Sequence, residues 1–156
     1  MRWNEVAGLT CSVARTLAIV GDRWTLLIVR DAFLGVRRFE DFRRSTGIPR
    51  HRLADRLGRL VREGVLERRP YQERPARFEY RLTEKGRDLY PILVGLVRWG
   101  DRWLAGDAGA PIEIVHRTCG HAATPELTCP ACHAPVDPRE MLARPGPALR
   151  AKEGTR

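Results

Sequence analysis

Residues 45–83, which read STGIPRHRLADRLGRLVREGVLERRPYQERPARFEYRLT, restrict what this chain can fold into more than any other stretch. Thr46-Gly47-Ile48-Pro49 has the composition of a tight turn, and Pro49 suits the first position of a helix, where its missing N–H costs nothing. Over residues 50–63, Leu53, Leu57, Leu60 and Val61 recur at helical spacing and form one apolar stripe. Arg52, Arg56, Arg59 and Glu63 lie on the opposite side. Gly64 ends that helix. Residues 65–69 and 77–82 alternate with the period of strands, and 70–76 joins them as a hairpin loop.

The flanks fit the same plan. Residues 11–20 (CSVARTLAIV) carry apolar side chains at helical period, and Gly21-Asp22 follows, with Asp22 placed to cap the next helix. Residues 24–34 (WTLLIVRDAFL) are apolar around most of a helical circumference, which predicts a buried central helix stopped by Gly35. Residues 39–44 predict a short helix with Phe39 and Phe42 facing inward. Thr83 is a good N-cap for a last long helix over 84–105, whose stripe includes Leu89, Leu93, Leu96, Trp99 and Trp103. Pro91 should kink that helix or delay its start. The expected fold class is mainly α with a small β-hairpin.

Charge is concentrated where these elements lie. The chain of 156 residues has a net charge of +9, and residues 37–87 hold 16 Arg/Lys against 8 Asp/Glu, a net of +8. Localised positive charge is the electrostatic footprint of a protein that meets nucleic acid. Only Lys85 and Lys152 are lysines, so arginine is abundant throughout and charge alone is a weak argument. The order of elements is a stronger one. A helix fits the DNA major groove with its N-terminal residues against base edges, and arginine forks pair well with guanine. Arg50, His51, Arg52 and Arg56, with Arg59 further along, are the candidates on the helix. Arg74 and Arg77 are candidates for phosphate or minor-groove contacts from the hairpin. No nucleophile elbow, phosphate loop or paired-carboxylate motif is present, so an enzyme is not expected.

Several segments in order resemble the HxlR-type winged helix-turn-helix regulators, close to the MarR group. They are Cys11, Gly21-Asp22-Arg23-Trp24-Thr25, Arg38-Phe39-Glu40-Asp41-Phe42, LADRLGRL over 53–60, Gly64-Val65-Leu66-Glu67-Arg68, and above all PARFEYRLTEKG over 75–86. The last is similar to the family's P-x-R-V-E-Y-x-L-T-x-x-G. The match covers roughly residues 11–104. It departs at Pro49, where the family usually has a serine capping the recognition helix. The resemblance implies double-stranded DNA as partner and a homodimer paired through the first and last long helices. It also implies a transcriptional repressor acting on a pseudo-palindromic site. A winged helix that binds protein is the alternative reading. So is a thiol-based redox sensor, since some members use a cysteine at the place of Cys11.

Beyond Gly106 the composition changes. Three of the four cysteines and three of the four histidines lie between 116 and 133. His116-Arg-Thr-Cys119-Gly and Cys129-Pro-Ala-Cys132-His share one shape, and two such knuckles make a tetrahedral, structural zinc site. His116, Cys119, Cys129 and Cys132 would supply Cys₃His; His121 in place of His116 is the other assignment. Unmetallated cysteines, or a redox pair of Cys129 and Cys132, are the competing readings. The expected organisation is a winged helix over 11–106, a zinc-ribbon-like segment over 112–140 and a flexible tail over 141–156. No apolar run approaches the roughly 18–20 residues of a membrane helix, and the N-terminus lacks a signal-peptide core, so a cytoplasmic protein is expected.

Overall fold

Asp22 shows how the sequence starts a helix in this chain. In the computed structural model, which describes residues 8–123 and 125–153, helix α1 (Ser12–Val20) ends at Gly21, and α2 (Thr25–Phe33) begins only after a turn. Asp22 bridges the gap. Its carboxylate accepts hydrogen bonds from the Trp24 amide at 3.0 Å, the Thr25 amide at 3.2 Å and the Thr25 hydroxyl. It therefore satisfies N–H groups that the first turn of a helix leaves open. Burial, the largest single influence on this carboxyl, raises its pKa. The Thr25 hydroxyl, the Trp24 amide, Arg56 and the Thr25 amide together outweigh burial and hold it below the ordinary carboxylate value. Its stabilising contribution is therefore fully present above the unfolded-state pKa of about 3.9 and is lost as pH falls through the lower folded-state value. Asp22→Ala is expected to cost about 1–2 kcal/mol at pH 7. Denaturant unfolding should show the gap to the parent chain shrinking as pH drops below about 4.

Helix α3 (Phe39–Thr46) closes on Gly47, which takes the left-handed conformation (φ 67°) that a residue with a Cβ adopts at a cost. Helix α4 (Arg50–Arg62) follows after Ile48 and Pro49. Pro49 sits one place earlier than expected, as the N-cap, because the first helical φ/ψ pair belongs to Arg50. Its carbonyl accepts from the Leu53 amide at 3.0 Å, and the proline ring offers no side-chain cap. Leu53, Leu57 and Leu60 are fully buried, packed with Ile28, Val29, Phe42, Ile48, Val65 and Leu66 into one core. Each such leucine is worth about 1.5–3 kcal/mol of transfer free energy. Tyr80 meets Phe42 edge-on, with ring centroids 6.4 Å apart.

Strands β1 (Leu66–Gln72) and β2 (Arg77–Leu82) pair antiparallel from Leu66↔Leu82 to Gln72↔Arg77. β1 runs three residues further than its alternation suggested, through Pro70. The register shifts between Pro70 and Gln72, and a bulge on an edge strand is where proline is tolerated. The chain just before α3 also joins the hairpin. Tyr80 donates its amide to the Arg37 carbonyl at 2.8 Å, and Arg38 bridges Glu79. At the base of the hairpin the Thr83 hydroxyl donates to the Gly64 carbonyl (2.6 Å) and accepts from the Gly86 amide (3.1 Å), capping the short helix α5 (Glu84–Arg87). The long helix expected over 84–105 is thus two. After a turn, α6 (Tyr90–Leu104) starts with Pro91 in its first turn, where its missing N–H is harmless.

Residues up to Leu93 and those from Val94 onward form two compact units. The second holds a 3₁₀ turn (Gly106–Ala108) and two tight hairpins bridged at Val115↔Ala122 and Thr128↔Pro135. Between them, Arg98 of α6 donates to the Pro125 carbonyl at 2.8 Å. Within the segment expected to be a flexible tail, Pro147–Glu153 forms a helix, α7. Proline at its first position and a run of good helix formers account for this. No helix among the described residues is long and apolar enough to cross a membrane.

Candidate nucleic-acid interface

Burying Leu53, Leu57 and Leu60 turns the start of α4 outward, so Arg50, His51 and Arg52 are exposed in its first turn. Arg50 stacks over Phe39, 5.2 Å from the ring centroid, and pairs with Glu40 at 2.6 Å. The arginines of the next two turns are held by the protein. Arg56, 23% exposed, pairs with Asp22 (3.1 Å) and Asp55 (2.8 Å). Arg59 donates to the Ala18 carbonyl of α1. A helical wheel groups them with Arg52; in the fold, they fasten α4 to the α1–α2 corner.

The hairpin and the start of α4 share one open groove of about 670 Å³. Arg50 and Arg77 line it together with Arg38, Arg44, Arg68 and Tyr71. Arg38 lies 4.7 Å above the Tyr71 ring, and Arg68 lies 3.5 Å above that of Phe78. Arg44 is paired with Asp41. Hydrogen bonding to Arg43, the largest influence, holds the Glu40 carboxyl below its usual range, with Arg50 adding to the effect. Arg52, Arg74 and Arg77 have side chains without a hydrogen bond, ion pair or aromatic partner among the described residues, as does His51. Arg74 and Arg52 do not line the groove. Arg38, Arg44 and Arg68 were missed by reading the helix and the hairpin loop alone. The paired arginines 37–38, 43–44 and 68–69 were their signal, and the pairing of Arg37 and Arg38 with β2 is what brings the start of α3 alongside.

The remaining candidates are dispersed. Cys11 is an exposed free thiol at the N-cap of α1. In the second unit His116 Nδ1 lies 3.3 Å from Cys119 Sγ. The Cys129 thiol is held below its ordinary value by the Cys132 amide, the Ala131 amide and the Cys132 thiol, in that order. The first of these pairs is thus in contact. Among the described residues, however, no three His, Cys, Asp or Glu side chains stand together as a ready metal cage. The His121 carbonyl accepts from the His116 amide at 2.9 Å.

Two helices joined by a tight turn, followed by a basic two-stranded wing, define the class of winged helix-turn-helix, DNA-binding transcription regulators. Within it the chain belongs to the HxlR-like helix-turn-helix family, whose profile matches residues 19–108. Rv3095 of Mycobacterium tuberculosis and Mb3122 of Mycobacterium bovis, both named HTH-type transcriptional regulators, are each 50% identical over 141 residues. That span is 90% of this chain and 89% of theirs. Among solved structures, PA1607, named as a transcription factor, aligns with a TM-score of 0.81 at 35% identity, over 90% of this chain and 98% of its own. The redox regulator HypR in its reduced form aligns with a TM-score of 0.56 at 33% identity, over 59% of this chain and 92% of its own.

Proposed function

We propose that the chain represses transcription as a homodimer, with the first turn of α4 in the major groove and the β1–β2 wing on the adjacent backbone. The observation that carries this is the shared groove: Arg50 of the helix and Arg77 of the wing face one space with Arg38, Arg44 and Arg68. Such spacing suits a sugar–phosphate strand crossing between helix and wing, while Arg52, exposed and unpaired, is free for a base edge. Arg56 and Arg59 act in this reading as braces of α4, and Arg74 is a wing-tip phosphate contact.

The dimer is supported by apolar surface that the chain leaves uncovered. On α6, Trp99 is 59% and Trp103 63% exposed, with Ile92, Leu96 and Leu104 also exposed; on α1, Val13 and Leu17 are exposed. A second copy covering these helices would present two recognition helices to one face of DNA, with half-sites about 34–36 Å apart or a multiple of that. The test is selection of genomic fragments, including the chain's own upstream region, by the purified protein, followed by footprinting and in vitro transcription. Two protected half-sites and lowered transcript support the reading. A single protected site with unchanged transcript contradicts it.

A second reading adds control by oxidation. Cys11 is an exposed free thiol, and HypR, a redox regulator by name, shares the fold. A thiol oxidant should then change DNA affinity in the parent chain and leave Cys11→Ser unaffected. Equal responses in both proteins would dismiss it.

A further inference from the structure

The two hairpins of the C-terminal unit are copies of one another at an offset of 13 residues. In the first, His116 donates its amide to the His121 carbonyl (2.9 Å), Gly120 donates to His116 (2.8 Å) and Ala123 to Ile114 (2.7 Å). In the second, Cys129 donates to Ala134 (2.9 Å), His133 to Cys129 (2.8 Å) and Val136 to Leu127 (2.9 Å). The bridges Val115↔Ala122 and Thr128↔Pro135 obey the same offset. The backbone twist does too: Gly120 has φ 71° and its counterpart His133 has φ 59°. A histidine takes up the left-handed region at a cost that glycine avoids, so the second hairpin keeps this turn despite its residue.

Superposing the repeats places His116 on Cys129 and Cys119 on Cys132. Both positions carry metal-ligating side chains in both copies. His121 falls on Ala134, which has no donor. In the first copy the two ligating groups already converge. The 3.3 Å between His116 Nδ1 and Cys119 Sγ is close to the roughly 3.6 Å that separates an imidazole nitrogen and a thiolate on one tetrahedral zinc.

We propose that His116, Cys119, Cys129 and Cys132 are the ligands of one closed, structural zinc ion that joins the two hairpins. The two pairs are half-sites standing apart, and the metal draws them together. Three thiols lose their protons on binding while neutral His116 contributes a nitrogen lone pair, so no oxidant or reductant takes part. All four positions are filled by protein, which leaves no place for a substrate and makes the ion a clamp. The unit it clamps has little else to hold it: Ile112, Val115 and Leu127 are exposed, and metal binding supplies the folding free energy that such a segment lacks. This assignment is independent of the DNA-binding reading.

The test uses the full chain, reduced and stripped of metal, titrated with Co²⁺ and then with Zn²⁺. One Co²⁺ per chain, with the visible bands of a tetrahedral thiolate complex displaced by Zn²⁺, is expected. His116→Ala and Cys129→Ser should each weaken Co²⁺ binding by more than about 100-fold, beyond the effect of an outer-shell change. His121→Ala should bind within a few-fold of the parent. Because a lost ligand can also unfold the unit, His116→Cys is the decisive variant: it should restore one Co²⁺ per chain with the spectrum of four thiolates. Absence of stoichiometric binding, or loss of binding in His121→Ala with retention in His116→Ala, would overturn the proposal.

Discussion

Raising the salt concentration from about 50 to 200 mM is expected to weaken operator binding by about a thousand-fold or more. The expectation follows from the groove. The chain presents Arg38, Arg44, Arg50, Arg68 and Arg77 around one space, so the proposed dimer would offer on the order of ten cations to the backbone. Each phosphate contact releases condensed counterions and steepens the dependence of log affinity on log salt by about 0.9. Acidic neighbours temper this. Glu40 holds Arg50 and Asp41 holds Arg44, and those pairs must exchange for phosphates as DNA enters. The slope should therefore fall between about −5 and −9, below the full cation count. Glu40→Gln frees Arg50 and should steepen it. Fluorescence anisotropy across a salt series measures both. A slope near zero would mean that these arginines do not meet DNA.

Leu57→Ala is expected to cost about 3 kcal/mol of stability, within the range of about 2–5 kcal/mol for buried leucines. Leu57 is fully buried on the inner face of α4, with Leu53 and Leu60 at its flanks and Phe42, Ile48 and Val65 in the same core. Truncation strips apolar packing from the core and leaves a cavity that neighbours on several different segments cannot all close. In a domain of this size each kcal/mol shifts the melting midpoint by about 4–8 °C, so a drop of roughly 12–24 °C should be seen by circular dichroism. Arg52→Ala, adjacent to the first of those leucines but pointing outward, should leave the midpoint within about 2–4 °C. The contrast separates residues that hold α4 in the core from those that the proposed reading turns toward DNA.

The recognition helix and the wing were legible in the sequence because period alone fixes which face of an element is buried. Leu53, Leu57 and Leu60 at helical spacing needed no knowledge of neighbours; Phe78, Tyr80 and Leu82 announced the strand, although residues 78–82 are all half-buried and neither face of β2 is fully covered. Pro91 likewise announced a break, which the structure places between α5 and α6. What escaped depends on the approach of elements far apart in the chain. A wheel drawn for α4 sets Arg56 and Arg59 beside Arg52, and only the nearness of Asp22 and the Ala18 carbonyl turns them into braces. The pairing of Arg37 and Arg38 with β2 carries no local signal either, and it is this pairing that brings Arg38 and Arg44 into the groove. In the second unit the spacing of cysteines and histidines suggested two knuckles but left His116 and His121 as rivals. The backbone hydrogen bonds, repeated at 13 residues, are what the proposed assignment to His116 rests on.

The central claim is that the first turn of α4 and the wing together form the DNA-binding surface. The most direct test is the affinity and salt slope of the parent chain, Arg52→Ala and Arg77→Ala for a selected operator and for operators altered one base pair at a time. Arg77→Ala should weaken binding to all sequences about equally and make the slope shallower by about 1 for each half-site, whereas Arg52→Ala should cost about 1–3 kcal/mol and relax preference at one position of each half-site. If the double variant, folded by its circular dichroism, binds the same operator with unchanged affinity, specificity and salt slope, DNA is held elsewhere and the claim fails.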